Sequence, residues 1–315
     1  VPITGVWSDG SVNVDTIPLR IKSLWPVEIT AIPDFTYMSP TETRTFLVRV
    51  NNQLAESIAG TITLAVPEGF SFQGEGALEL GPGAEASTTF TVSAPDAVPE
   101  GELMLSVLLN YENREFASPI RLQIKHYDPL QDSVIVDLAG FYNTDGFSYR
   151  SNPGNGNLDG AGNNLPADTF PNREQVRYLG VLFQTPNVSD DLFNVVTAAQ
   201  QTVPVTPGSY RKLALLALAT NGNQHESVQL NYADGTHETV ALNISDWCAA
   251  AAYGEEQVIQ FAHRHNSQGV TAPACGIFYT TLEVNPEKTL VGFTLPNNQN
   301  IHIVSASLIK PGDKR

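Results

Sequence analysis

The chain has 315 residues and a formal charge of −16, and only 17 of its residues are Lys or Arg. Phosphate recognition needs clustered basic side chains, and no run of them exceeds a pair such as Lys314-Arg315, which argues against nucleic acid as a partner. No apolar run reaches the ~20 residues that span a bilayer, and 42% hydrophobic residues suffice for ordinary cores, so the length predicts a soluble chain of two or three domains.

In chain order, residues 1–26, with Trp7 and Trp25, read as an N-terminal extension or the tail of an upstream domain. From residue 27 the pattern is all strand. Thr45–Val50 is β-branched and apolar and ends at the turn pair Asn51-Asn52. Gly60–Val66 alternates polar and apolar before Pro67-Glu68-Gly69, and Ala77–Leu80 stops at Gly81-Pro82-Gly83. Ser87–Val92, Leu103–Leu109 and Ile120–Ile124 close the series. Short strands with Gly/Pro turns over about 100 residues predict one immunoglobulin-like sandwich over 27–127. The order of Val27-Glu28-Ile29-Thr30, Pro67-Glu68-Gly69-Phe70 and Ala94-Pro95 resembles the NEW3-type module attached to many bacterial glycoside hydrolases.

Composition changes near residue 128: of 23 Asn residues, 18 lie at or after Asn143. Pro129 forces Asp128 into an extended conformation, so His126-Tyr127-Asp128-Pro129 reads as a linker and a second domain is expected over 128–315. Tyr210–Ala219 is an apolar run that fits a helix or a strand. The flanking Pro207-Gly208 and Asn221-Gly222 favour strand. Ser227–Tyr232 and His237–Leu242 flank Asp234-Gly235, the clearest hairpin signal in the chain. A short helix over Leu192–Ala199, capped by Ser189-Asp190-Asp191, is left open. The expected fold is all-β: an immunoglobulin-like sandwich followed by a larger jelly-roll sandwich.

Two places invite chemistry. Asn157-Leu158-Asp159-Gly160 sets two oxygen side chains two apart in a Gly-rich stretch, a pattern that serves Ca²⁺ or simply builds turns. Asp246-Trp247-Cys248 with His263-Arg264-His265 offers a nucleophile and base, a metal set, or a sugar site in which Trp and His rings stack while Arg and Asp bond hydroxyls. Glu255-Glu256 and Asp190-Asp191 read as solvated turn residues rather than as a catalytic acid pair. Cys248 and Cys275 form one bridge or remain two buried thiols; one pair in a chain this long is no disulfide framework.

Phe141-Tyr142-Asn143, Asn157-Leu158-Asp159-Gly160, Asp246-Trp247-Cys248, Arg264-His265 and Ile301-His302-Ile303 together resemble the galactose-binding-like domain that follows a NEW3-type module in secreted bacterial proteins. That resemblance implies a non-catalytic accessory region of a secreted or cell-surface carbohydrate-active protein, with an upstream catalytic domain. The ligand face is expected at Trp247, Asp246, His263, Arg264 and His265 and recognises a neutral glycan, with a structural Ca²⁺ at Asn157 and Asp159. The alternatives are a glycoside hydrolase or lyase with scattered acids, and a structural or adhesive surface protein.

Overall fold

The structure, a computed structural model, describes residues 2–6, 12–16, 26–74 and 76–312; Trp7 and Trp25 lie outside the described residues. Among the described residues every regular element is a strand. Pro2–Val6 (β1) pairs with Val12–Thr16 (β2).

The front sandwich is built from Val27–Ile32 (β3), Phe35–Met38 (β4), Thr43–Asn52 (β5), Ile58–Ala65 (β6), Ser71–Gln73 (β7), Gly76–Leu80 (β8), Glu85–Ser93 (β9), Gly101–Tyr111 (β10) and Arg114–Ile124 (β11). They form a five-stranded sheet ordered β4-β11-β10-β6-β8 and a four-stranded sheet ordered β3-β5-β9-β7. Strand period dictates the core: Phe46, Val48 and Val50 of β5, Leu105, Val107 and Leu109 of β10, and Ile120, Leu122 and Ile124 of β11 all point inward. Asn52, read as a turn residue, ends β5 fully buried. Its amide donates to the carbonyls of Glu56, Leu80 and Gly81, and its Oδ1 accepts from Leu54, so the turn carries no unpaired polar group.

The rear unit contains Ser133–Ile135 (β12), Phe147–Ser148 (β13), Leu165–Pro166 (β14), Gln175–Tyr178 (β15), Val181–Gln184 (β16), Val196–Ala199 (β17), Thr202–Gly208 (β18), Lys212–Ala219 (β19), Gln224–Tyr232 (β20) and His237–Ile244 (β21). Glu256–Phe261 (β22), Arg264–Asn266 (β23), Gly269–Thr271 (β24), Cys275–Glu283 (β25), Leu290–Thr294 (β26) and Asn297–Ile309 (β27) complete it. A sheet ordered β12-β27-β19-β25-β22, with β17 also on β27, faces the sheet β18-β26-β20-β21. The apolar run is a strand, β19, and β20 and β21 form the expected hairpin, with Asn231 opposite His237. Leu192–Ala199 is not helical: Val196–Ala199 pairs with β27, and Asp191 has φ of 62°.

β19 also explains why its run is unbroken rather than alternating. Leu213, Leu215, Ala217 and Ala219 face the core shared with Val203, Leu230 and Phe293. Ala214, Leu216 and Leu218 face a second core, closed by side chains from the loop-rich stretch 147–188: Phe147, Leu158, Leu165, Phe170, Val181, Phe183 and Val188. Both faces are buried, so both are apolar. Phe35 and Tyr37 of β4 enter this second core from the front sandwich. Tyr37 donates to Glu256 at 2.9 Å, and Lys125 pairs with the same carboxylate. Gly180, at φ of 81°, lies against the Asp128 carbonyl; a Cβ there would collide with the linker.

Candidate functional site

Trp247 follows the strand β21, where its amide donates to Ala219 O and its carbonyl accepts from Gly276, both at 2.8 Å. The ring is 2% exposed in the second core, and the Arg264 guanidinium covers it with Cζ 5.9 Å from the ring centroid. A buried ring cannot stack on a sugar, and this corrects its expected role as a binding platform. Asp246 is occupied as well: its two carboxylate oxygens accept from the Gly222 and Cys248 amides at 2.7 and 2.9 Å, which fixes the turn.

His263 and His265 do share a face, as two-residue spacing requires, with ring centroids 5.2 Å apart. His265 is fully buried, its Nδ1 donating to Ser148 O at 2.9 Å while Nε2 stands 4.0 Å from Asp168 Oδ2. Burial pushes both imidazoles below their ordinary range. Of the five residues expected on the ligand face, His263 reaches a hollow, one of about 220 Å³ between the two sandwiches that Arg49, Arg150, Glu28 and Asp168 also line.

Asn157, exposed, and Asp159, half-buried, bond within their own loop. Asn157 Oδ1 accepts from Gly162 N at 2.8 Å. Asp159 Oδ1 accepts from the amides of Ala161 and Asn163 at 2.9 and 3.1 Å, and Oδ2 from Asn163 Nδ2 at 2.7 Å. N–H groups converge on these oxygens as they do where Asn and Asp side chains build a turn. Among the described residues no group of three His, Cys, Asp or Glu has metal-binding geometry.

The two acidic pairs are engaged structurally. Glu255, expected to be solvated, is 7% exposed: it accepts from the Ser245 amide and hydroxyl and from Tyr253 N. Glu256, on the other side of the chain, ties the rear unit to Tyr37 and Lys125. Asp190 and Asp191 accept from Asn152 and Asn155, each at 2.9 Å. None of these pairs faces a cavity as two free carboxylates.

A flat apolar group beside convergent polar ones does occur elsewhere, at Phe193. This ring is 65% exposed and stands at the rim of a cleft of about 610 Å³ that Tyr142, Asp137, Arg173, Gln175 and Asn187 also line. The loop beneath the ring is rigidly anchored by Asn194, which is fully buried. Its Nδ2 donates to Asp145 Oδ1 and Leu192 O, its Oδ1 accepts from Gly146 N, and its own amide donates to Thr144 O. Tyr142 bonds Val304 O, and burial pushes its phenol up to about 12, so it stays protonated. Asp137 and Arg173 give the cleft one charge of each sign, and the side-chain amides of Gln175 and Asn187 add donors and acceptors. The local sequence, Asp190-Asp191-Leu192-Phe193-Asn194, sets an aromatic among acidic and amide turn residues, which does not tell an exposed ring from a buried one. The open helix reading would have hidden it on a helix face.

No curated protein matches the chain. Solved structures with similar stretches include a FixG-related protein from Vibrio parahaemolyticus, at 14% identity and TM-score 0.28, covering 32% of this chain and 99% of that one. A family 123 glycoside hydrolase from Clostridium perfringens aligns at 7% identity and TM-score 0.26, over 33% of this chain and 28% of that one. Native alpha-2-macroglobulin from Escherichia coli aligns at 10% identity and TM-score 0.28, over 62% and 24%. The chain thus spans less than a third of the length of the last two. Residues 132–311 match the AziU2-like β-sandwich domain, and through this stretch, more than half of its length, the chain belongs to the AziU2-like β-sandwich family.

Proposed function

We propose that this chain is a non-catalytic accessory unit of a secreted carbohydrate-active protein, and that its rear sandwich holds a neutral glycan in the cleft beside Phe193. The observation that carries this reading is a large exposed ring held on an immobilised loop, with polar groups of balanced charge next to it. A ring at a cleft lined by polar groups offers a ligand a flat apolar face to stack on. A ring face beside amides and one ion of each sign suits a molecule with apolar ring faces and a hydroxyl rim. A net charge of −16 disfavours polyanionic sugars at long range. The resemblance to NEW3-type and galactose-binding-like modules supports the same reading, with the front sandwich as a spacer.

The test is titration calorimetry against neutral oligosaccharides, with a parallel assay for released reducing sugar. Weak binding without turnover is expected. Phe193→Ala should weaken it about 10- to 100-fold, the worth of burying one Phe side chain, while the melting temperature stays put. Cleavage of the polysaccharide would overturn the non-catalytic reading, and unchanged affinity in the variant would remove the cleft as the site.

A further inference from the structure

Cys248 and Cys275 stand on neighbouring segments of the second core. Asp246 forms a parallel bridge with Ala219 of β19, and β19 runs antiparallel to β25, so segment 246–248 runs antiparallel to β25. The Gly276 amide donates to the Trp247 carbonyl at 2.8 Å. In an antiparallel pair, a bond from the residue after one position to the residue before its partner flanks a non-hydrogen-bonded pair. The Cα atoms of such a pair lie ~4.5 Å apart with side chains on the same side. Cys275 and Cys248 each stand one residue from that bond, Cys248 in the turn that the Ala249 amide closes on Asp246 O. A disulfide requires Cα atoms roughly 4.4–6.8 Å apart, and this bond brings the two segments side by side.

Both cysteines are free thiols here. We propose that Cys248 and Cys275 are a cross-strand redox couple that closes to a disulfide by exchange with a disulfide donor, either a small-molecule disulfide such as oxidised glutathione or the reactive disulfide of an oxidised protein. The two sites are unequal in a way that sets the order of attack. Cys248 is half-buried, whereas Cys275 is 2% exposed and donates its S–H to His263 O at 3.3 Å. The adjacent Cys275 sulfur and the nearby Arg264 guanidinium lower the Cys248 thiol from its ordinary value, and the neighbouring Cys248 sulfur together with burial raises Cys275. Cys248 thiolate attacks the donor disulfide, forming a mixed disulfide and expelling one donor thiolate. That thiolate, or solvent, takes the proton of Cys275, whose sulfur then attacks Cys248 and expels the second donor thiol. Two protein thiols are oxidised and one donor disulfide is reduced to two thiols. The product staples the Trp247 corner to β25 and closes a loop around residues 249–274.

The experiment uses the full chain, reduced, freed of reductant and incubated folded with oxidised glutathione. Peptide mapping without reduction should recover Cys248 and Cys275 in one intramolecular linked pair. The melting temperature should rise by about 5–10 °C for a loop of this length. Two thiols that still alkylate fully, or a product linked between chains, would overturn the proposal. Cys275→Ser should stop at a glutathione adduct on Cys248, and Cys248→Ser should leave Cys275 unmodified in the folded chain. An adduct on Cys275 in the second variant would overturn the order of attack.

Discussion

The front and rear sandwiches bury comparable strands by different means. In the front, each sheet keeps one face for a single core: β5 alternates Phe46, Val48 and Val50 inward with Thr45, Leu47 and Arg49 outward. In the rear, β19 is buried on both sides, and its second face is covered by loops and the short pairs β13–β14 and β15–β16 rather than by one large sheet. Loops that cover a core must satisfy their own backbone away from water. They do so here with Asn and Asp side chains: Asn157, Asp159, Asn164 and Asn194 all bond within or between loops. An Asn-rich stretch is thus a structural layer, and the exposed Phe193 is a residue on it left without such work.

The largest expected effect tests whether that loop layer is a true core. Trp247→Ala should cost on the order of 3–5 kcal/mol in denaturant unfolding followed by circular dichroism, because a buried ring leaves a cavity. A loss below about 1 kcal/mol would return the ring to the surface and erase the contrast with the front sandwich.

The next effect distinguishes the two units by pH. His302 on β27 is buried between Thr197 and Thr220, whose hydroxyls lie 3.0 and 3.1 Å from its two ring nitrogens. Burial pushes its pKa down to about 4. An unfolded histidine titrates near ~6.5, so between these values the unfolded chain binds a proton that the folded chain refuses. Stability from this group is therefore complete above about pH 6.5 and falls as the pH drops toward 4, by roughly 3 kcal/mol in all. Urea midpoints across that window should show the decline, and His302→Gln should flatten it. An unchanged slope in the variant would mean that another group governs acid stability.

Asn194→Ala should cost about 2–3 kcal/mol by orphaning the Gly146 amide and Asp145, the ordinary penalty for unpaired buried polar groups. It should also weaken glycan binding as much as Phe193→Ala does, although residue 194 faces away from the cleft. Loss of stability with intact binding would show that the ring holds its place without the anchor.

How much was legible depended on which physical signal each residue carried. β5, β19 and the β20–β21 hairpin were readable because period, run length and Asp234-Gly235 report backbone state directly. The inward position of Trp247 was not: one strand register decides it, and the residue stands past the end of β21, where alternation gives no phase. The pairing of His263 over His265 followed from two-residue spacing, but the burial of His265 depends on the loop at Ser148, distant in sequence. Glu255 looked like a solvated acid because nothing local reveals that Ser245 and Tyr253 would close around it. Phe193 was unreadable for the converse reason: an exposed Phe has the same local sequence as a buried one, and its support by Asn194 and Asp145 spans the loop layer.

The smallest effect is expected from divalent-metal removal, where the loop layer makes its sharpest claim. Ca²⁺ takes six to eight oxygen ligands with lone pairs aimed at one point. Asp159 instead accepts the Ala161 and Asn163 amides at Oδ1 and the Asn163 side-chain amide at Oδ2, and Asn157 accepts the Gly162 amide. A cation would compete with these donors, and the Leu158 amide to Asn163 O bond at 2.9 Å holds the loop closed. Any ion that bound the folded state alone would stabilise it by mass action, by ~2.7 kcal/mol at a hundredfold excess over its dissociation constant. Calorimetric melts in chelator and in millimolar Ca²⁺ should therefore coincide, and Asp159→Asn should lower both curves equally. A midpoint that rises with Ca²⁺, and loses that rise in Asp159→Asn, would show that this loop opens to bind the ion.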